Sequence, residues 1–229
     1  MEVLHNGFTL EIPEGAFPLS TDSILLCDFI KLPRNARVLD LGSGSGTLGM
    51  LLCAKDTHCH VTGVELDPIA HAAAEENIRR NNLQTRMSSI CTDLRAIPSS
   101  AAAGSFDYCL SNPPYYTGGP ASRSTPLARR DDFCTLEELF ATAGKMLKFG
   151  GDFALVHKPE RLAEICAIAA KHKLEPKRMR LIRHRLDSGV SLILLSCRKG
   201  GKPGLLWEEK SLFDEAGQPT DYYRKLYHL

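Results

Sequence analysis

The chain has 229 residues, 43% of them hydrophobic and 24% charged, which is enough for one large domain or one domain with small additions. A formal net charge of +1 provides no global attraction to nucleic acid, so any basic surface must be local. No apolar run approaches the roughly 18 residues of a membrane helix. The start, MEVLHNGFTLEIPEG, lacks the basic and apolar regions of a secretion signal, so a cytoplasmic protein without a membrane partner is expected.

None of the eight cysteines forms a C-x-x-C, and most lie in apolar stretches such as ILLCDF and DYCLS, as free thiols do in a reducing compartment. Cys53, His58, Cys59 and His60 cluster, but their spacing matches no standard zinc pattern. The last three run straight into an apolar strand, where side chains alternate faces, so no metal is expected.

In chain order, Asn6-Gly7 joins partly alternating flanks and predicts a hairpin. Ser20-Thr21-Asp22 supplies cap residues for a helix through SILLCDFIKL, stopped by Pro33. A strand-then-helix rhythm follows. RVLDLG (37–42) reads as a buried strand leading through a glycine-rich turn into the helix TLGMLLCAK, and HVTGVEL (60–66) as the second strand. Asp67-Pro68 opens a helix to about Asn81; MSSICTD (87–93) and FDYCLSN (106–112) are the third and fourth strands. A capping box, Thr135-x-x-Glu138, starts a helix expected to end at Gly150-Gly151. DFALVHK (152–158) is the fifth strand, and Pro159 begins a helix through about Lys173.

The last two strands, 177–185 and 190–198, are separated by four residues, too few for a parallel crossover, so they must form an antiparallel hairpin. The sequence therefore divides into an N-terminal hairpin and helix (1–35), an α/β domain (36–199) and a tail expected to dock on it (200–229). A mostly parallel, Rossmann-like sheet of seven strands ending in a hairpin is expected of methyltransferases rather than of nicotinamide dehydrogenases.

Ligands of open α/β sheets bind at the carboxyl ends of the strands, and four candidate elements gather there. Asp40-Leu41-Gly42-Ser43-Gly44-Ser45-Gly46 opens a helix whose free amides suit close approach by a ligand, although a tight turn alone would account for the glycines. Glu65 ends the second strand, where a carboxylate accepts ribose hydroxyls, or is simply a solvated acid. Asp93 ends the third, within reach of an adenine amino group. Behind the fourth strand, next to the glycine loop, comes Asn112-Pro113-Pro114-Tyr115. Its prolines fix the backbone and leave carbonyls free. An aromatic amine is a poor nucleophile because its lone pair is delocalised. The Asn112 side-chain oxygen and the Pro113 carbonyl can accept both amine hydrogens and favour a pyramidal nitrogen, while Tyr115 stacks on the base.

These residues resemble the class I S-adenosylmethionine-dependent methyltransferases that carry a D/N/S-P-P-Y/F motif. More closely, the chain is similar to the bacterial tRNA N6-adenine methyltransferases that modify an adenine beside the anticodon. The likeness runs from about Gly15 to Arg198, through FPLSTDSILL, VLDLGSGSG, VELDP, CTDL, SNPPYY, ARRDDF and the terminal hairpin. The resemblance implies that S-adenosylmethionine is held by Gly42, Gly44, Glu65 and Asp93, with Asp40 at its methionine end. It also implies that Asn112, Pro113, Pro114 and Tyr115 hold the target amine, and that Ser20 and Asp22 help close the cofactor pocket. ARRDDF departs from the basic-aromatic-acidic wording of the family.

The same motif serves adenine N6, cytosine N4, guanine N2 and a protein glutamine amide, since all present a planar NH₂. Only about 36 residues precede Arg37, against the longer helical N-terminal domain usual in release-factor enzymes. A local basic surface is available: Lys171, Lys173, Lys177, Arg178, Arg180, Arg183 and Arg185 surround one acid, Glu175, and Arg123, Arg129 and Arg130 follow the motif. It would hold the phosphates of tRNA or another structured RNA, or else be a solvated edge strand protected by charge. A non-catalytic RNA-binding module remains the alternative outside enzymes, and the sequence leaves the oligomeric state open.

Overall fold

The computed structural model describes residues 2–4, 6–98, 101–115 and 134–228. The hairpin at Asn6-Gly7 joins β1 (Glu2–Val3) to β2 (Thr9–Leu10), with Val3 opposite Thr9. Helix α1 (Thr21–Phe29) follows, its first turn closed by the Ser20 hydroxyl, which accepts from the Ser23 amide at 3.3 Å.

Apolar strands and helices then alternate as β3 (Arg37–Leu41), α2 (Thr47–Lys55), β4 (His60–Glu65), α3 (Pro68–Arg80), β5 (Met87–Cys91) and β6 (Phe106–Ser111). After them come α4 (Leu136–Met146), β7 (Leu147–His157) and α5 (Leu162–Lys171). β8 (Leu174–Arg185), β9 (Val190–Lys199), β10 (Leu206–Phe213) and α6 (Asp221–Tyr227) complete the order. One eight-stranded sheet results, ordered β10-β8-β9-β7-β6-β3-β4-β5. Strand β9 runs against both of its neighbours, as the short link from β8 requires, and the other pairings are parallel.

The sheet is the mostly parallel, doubly wound one expected, with a strand beyond the anticipated seven. That strand, β10, comes from the tail and pairs with β8 from Leu206 opposite Arg178 to Phe213 opposite Arg185. The basic segment is therefore an interior strand, not a protected sheet edge. Helix α4 also ends sooner than expected, at Met146, because Leu147 already pairs with Phe106 in β7. The glycine pair bends a strand instead of ending a helix: Gly150 has φ +80° where the β6–β7 register shifts.

Helices α1, α2 and α3 cover one face of the sheet, with Leu26, Met50 and Ile78 in a common core. On the opposite face α4 and α5 bury Phe140 and Ile165. Phe140 meets Phe153 edge-on, with ring centroids 4.9 Å apart, and burial of each ring contributes about 2–3 kcal/mol. Covering both faces explains why β3 and β6 read as near-continuous apolar runs. It also leaves the carboxyl ends of β3, β4, β5 and β6 together on one rim.

Candidate active site

At that rim the chain leaves β3 through Gly42 and Gly44, whose φ angles of +75° and +54° lie in the left-handed region. A Cβ at either would meet nothing within 4 Å, so conformation rather than crowding calls for glycine there. The Gly42 and Ser43 amides donate to the Val64 carbonyl at 2.9 and 3.0 Å, and Ser111 Oγ donates to the Leu41 carbonyl at 2.7 Å. The loop is thus tied to both flanking strands.

Glu65 closes the next part of the rim. Its Oε2 accepts from the Gly44 amide at 2.7 Å and its Oε1 from the Asp67 amide at 2.8 Å. Each oxygen keeps a second lone pair, so a ribose hydroxyl can still be accepted. Asp93 stands just past β5, capping a short turn and pairing with Arg95, whose hydrogen bonds hold the carboxyl below the ordinary carboxylate range.

Asp40 is fully buried in β3 and is not among the described residues that line the cavity; its carboxylate makes no well-formed hydrogen bond, although the Gly49 amide lies close enough to favour the charged form. Burial, with the charge of Glu65 adding to it, pushes its pKa up to about 8. Ser43 and Ser45 are also buried with unpartnered hydroxyls, but both line the cavity. Unsatisfied hydroxyls, a glycine cradle and two strand-end carboxylates fit a polar ligand with a ribose, as S-adenosylmethionine is.

Asn112, Pro113 and Pro114 line the same cavity of about 840 Å³ as Gly42, Glu65 and Asp93. Asn112 Nδ2 donates to Ser23 Oγ at 3.1 Å, and its side-chain oxygen, 3.2 Å from the Tyr115 hydroxyl, keeps a lone pair for a further donor. Tyr115 does not line the cavity. Its hydroxyl donates to Asp22 Oδ2 at 2.6 Å and lies 3.2 Å from Asn112 Oδ1. Its ring meets His157 edge-on at 5.2 Å, with Lys158 Nζ 5.4 Å above it. Burial and the charge of Asp22 raise the phenol pKa, so the hydroxyl stays a donor. Among the described residues, the aromatic that lines the cavity is Phe17, in a segment from Pro13 that forms one wall. Reading the sequence missed it, although Phe17-Pro18 between a glycine and a helix cap marks a rigid aromatic.

The basic residues separate. Arg180 is buried: its guanidinium pairs with Asp28 at 2.6 Å and Glu208 at 2.7 Å, lies against the Phe29 and Tyr222 rings, and is no free phosphate ligand. Arg183 is half-exposed and holds Glu209 at 3.3 Å and the Ser188 carbonyl. Both are engaged by or beside the tail strand, which the sequence reading did not pair with them. Arg123, Arg129, Arg130 and the ARRDDF stretch lie outside the described residues. Among the described residues no cluster of three or more His, Cys, Asp or Glu could hold a metal, and no helix is long and apolar enough to cross a membrane.

Residues 19–166 match the family described as methyltransferase small domain. Several curated relatives are tRNA1(Val) (adenine(37)-N6)-methyltransferases. The one from Shewanella halifaxensis is 31% identical over 73% of this chain and 68% of its own length. That from Edwardsiella ictaluri is 31% identical over 83% and 79%. Among solved structures, a predicted O-methyltransferase from Agrobacterium tumefaciens superposes with a TM-score of 0.76 at 20% identity, covering 91% of this chain and 96% of that one.

Proposed function

Since the chain belongs to the methyltransferase small domain family of S-adenosylmethionine-dependent enzymes, we propose that its acceptor is the exocyclic N6 amine of an adenine in tRNA. The observation that carries this reading is that Asn112 and Pro113 line the same cavity as the glycine loop, Glu65 and Asp93. The relatives' names supply the nucleobase. This reading puts the protein in the cytoplasm with its tRNA.

S-adenosylmethionine, when bound, supplies a methyl group on a sulfonium that is a good leaving group. The chain's residues do the rest. Gly42 and Gly44 let the backbone approach the cofactor, Glu65 accepts from its ribose and Asp93 from its adenine amine. Asn112 Oδ1 and the Pro113 carbonyl accept the two hydrogens of the target amine, drawing its lone pair out of the ring and aiming it. The amine proton then leaves to water.

With the Tyr115 hydroxyl engaged by Asp22, the base-stacking ring in this reading is Phe17, which lines the cavity. Arg129 and Arg130, beside the motif in sequence, are proposed to hold the phosphates of the splayed strand.

The test is incubation of the protein with labelled S-adenosylmethionine and bulk tRNA from cells lacking its gene, followed by digestion to nucleosides. Label in N6-methyladenosine is the expected result. Label in another nucleoside, or transfer only to a release-factor glutamine, would replace the adenine reading.

A further inference from the structure

Two side chains of the motif, Asn112 and Tyr115, are held from outside it, by one turn of helix. Asn112 Nδ2 donates to Ser23 Oγ at 3.1 Å, and Tyr115 Oη donates to Asp22 Oδ2 at 2.6 Å. Asp22 and Ser23 lie in the first turn of α1, 93 and 89 residues from their partners. Ser23 is 2% exposed, and its hydroxyl also lies 3.3 Å from the Ser20 hydroxyl that caps the helix. Ser23 therefore sits between a donor, the Asn112 amide, and an acceptor, Ser20 Oγ, and one hydroxyl satisfies both.

An asparagine side chain is nearly symmetric in shape but not in chemistry. Turned by 180°, Asn112 would present N–H donors to the N–H donors of the target amine, and the clamp would repel its substrate. Only the orientation that spends Nδ2 on Ser23 leaves Oδ1 to accept. Tyr115 steadies the other end: with its hydroxyl on a carboxylate and its ring against His157, that hydroxyl stands 3.2 Å from Asn112 Oδ1 and favours the oxygen, not the amide nitrogen, on that side. The turn is itself braced, since Thr21 Oγ1 lies 2.9 Å from the Tyr227 hydroxyl of α6.

We propose that Asp22 and Ser23 are positioning residues of the methyl transfer, setting the orientation of Asn112, Ser23 directly and Asp22 through the Tyr115 hydroxyl. The proposal rests on the amine-clamp reading of the motif. Neither residue touches the reacting atoms; both act through the residues that do.

Thr and Val are nearly isosteric, so Ser23→Thr and Ser23→Val crowd the site alike and differ only in the hydroxyl. Ser23→Val should lower kcat about tenfold or more while KM for tRNA and the Kd for S-adenosylhomocysteine stay within about threefold, and Ser23→Thr should restore most of the rate. Asp22→Asn and Tyr115→Phe should each lower kcat, and the double variant should be no slower than Tyr115→Phe alone, because Asp22 acts through the hydroxyl that this change removes. Equal rates for the Thr and Val variants, or losses that multiply in the double variant, would overturn the proposal. A wild-type protein that methylates no amine would instead remove the clamp reading itself. Even then, the Asn112 side-chain amide resonances of the free protein decide about Ser23: they should move in Ser23→Val and hold in Ser23→Thr, and no difference between the two refutes its role.

Discussion

Asn77 is tied to Ser45 across the core, its Nδ2 donating to the Ser45 carbonyl at 3.0 Å. The same amide brackets Glu11, donating to its carbonyl and accepting from its amide, both at 2.8 Å. One fully buried side chain thus fastens the glycine loop to the segment that continues into the Pro13–Phe17 wall of the cavity. Asn77→Ala would leave the buried Ser45 carbonyl without this partner and free the amide and carbonyl of the exposed Glu11. We expect a loss of about 2 kcal/mol in stability and a cofactor affinity at least about tenfold weaker, from urea unfolding and titration with S-adenosylhomocysteine. Unchanged affinity in a destabilised protein would mean that loop and wall are not coupled.

Arg180 is expected to matter for stability, not for RNA. Arg180 is buried but Asp28 and Glu208 are half-exposed and are solvated once it is removed, so Arg180→Ala should cost about 2–3 kcal/mol, for its charged hydrogen bonds. Arg183→Ala, at a half-exposed pair, should cost about 1 kcal/mol or less. Denaturant midpoints of the two variants would read this contrast directly.

Asn112→Ala should separate binding from chemistry. The residue lies on the acceptor side of the cavity, so affinity for S-adenosylhomocysteine should stay within about threefold while kcat falls by about 10²-fold or more. Equal losses in both would assign Asn112 to cofactor binding.

Stability should decline with rising pH because of Asp40. Its folded carboxyl, raised to about 8 by burial, keeps a proton that the unfolded chain releases in the ordinary carboxylate range. The folded state therefore binds more protons between those limits, and stability falls until pH passes about 8, then levels off. His157 acts oppositely: burial lowers its pKa to about 4, so its contribution is complete above the ordinary histidine range and is lost as pH falls towards 4. Melting temperatures from pH 6.5 to 9 should slope downward in the wild type and be flatter in Asp40→Asn.

The residues that were legible in the sequence sit where a rule of topology places them. Gly42, Glu65 and Asn112 follow apolar strands, and carboxyl ends of parallel strands converge on one rim whatever the side chains nearby. Phe17, Ser23 and Asn77 carry no such mark, because their partners are brought close only by the finished fold. Asn77 and Glu11 are 66 residues apart, and Arg180 and Asp28 are 152 apart. Arg180 was misread for the same reason: in the chain it stands among cations, and its anions arrive from elsewhere. The tail strand was hidden because LWEEKSLF alternates poorly and its apolar end, Leu206 and Trp207, stays exposed.

The brace between Thr21 and Tyr227 makes the order of synthesis matter. The described residues that line the cavity lie within residues 13–139, and these emerge from the ribosome before β10 and α6. A nascent chain at that stage holds all of them but neither the helix that braces Thr21 nor the strand whose Glu208 pairs with Arg180. The first helix of the fold is therefore braced only once the last helix has docked on it.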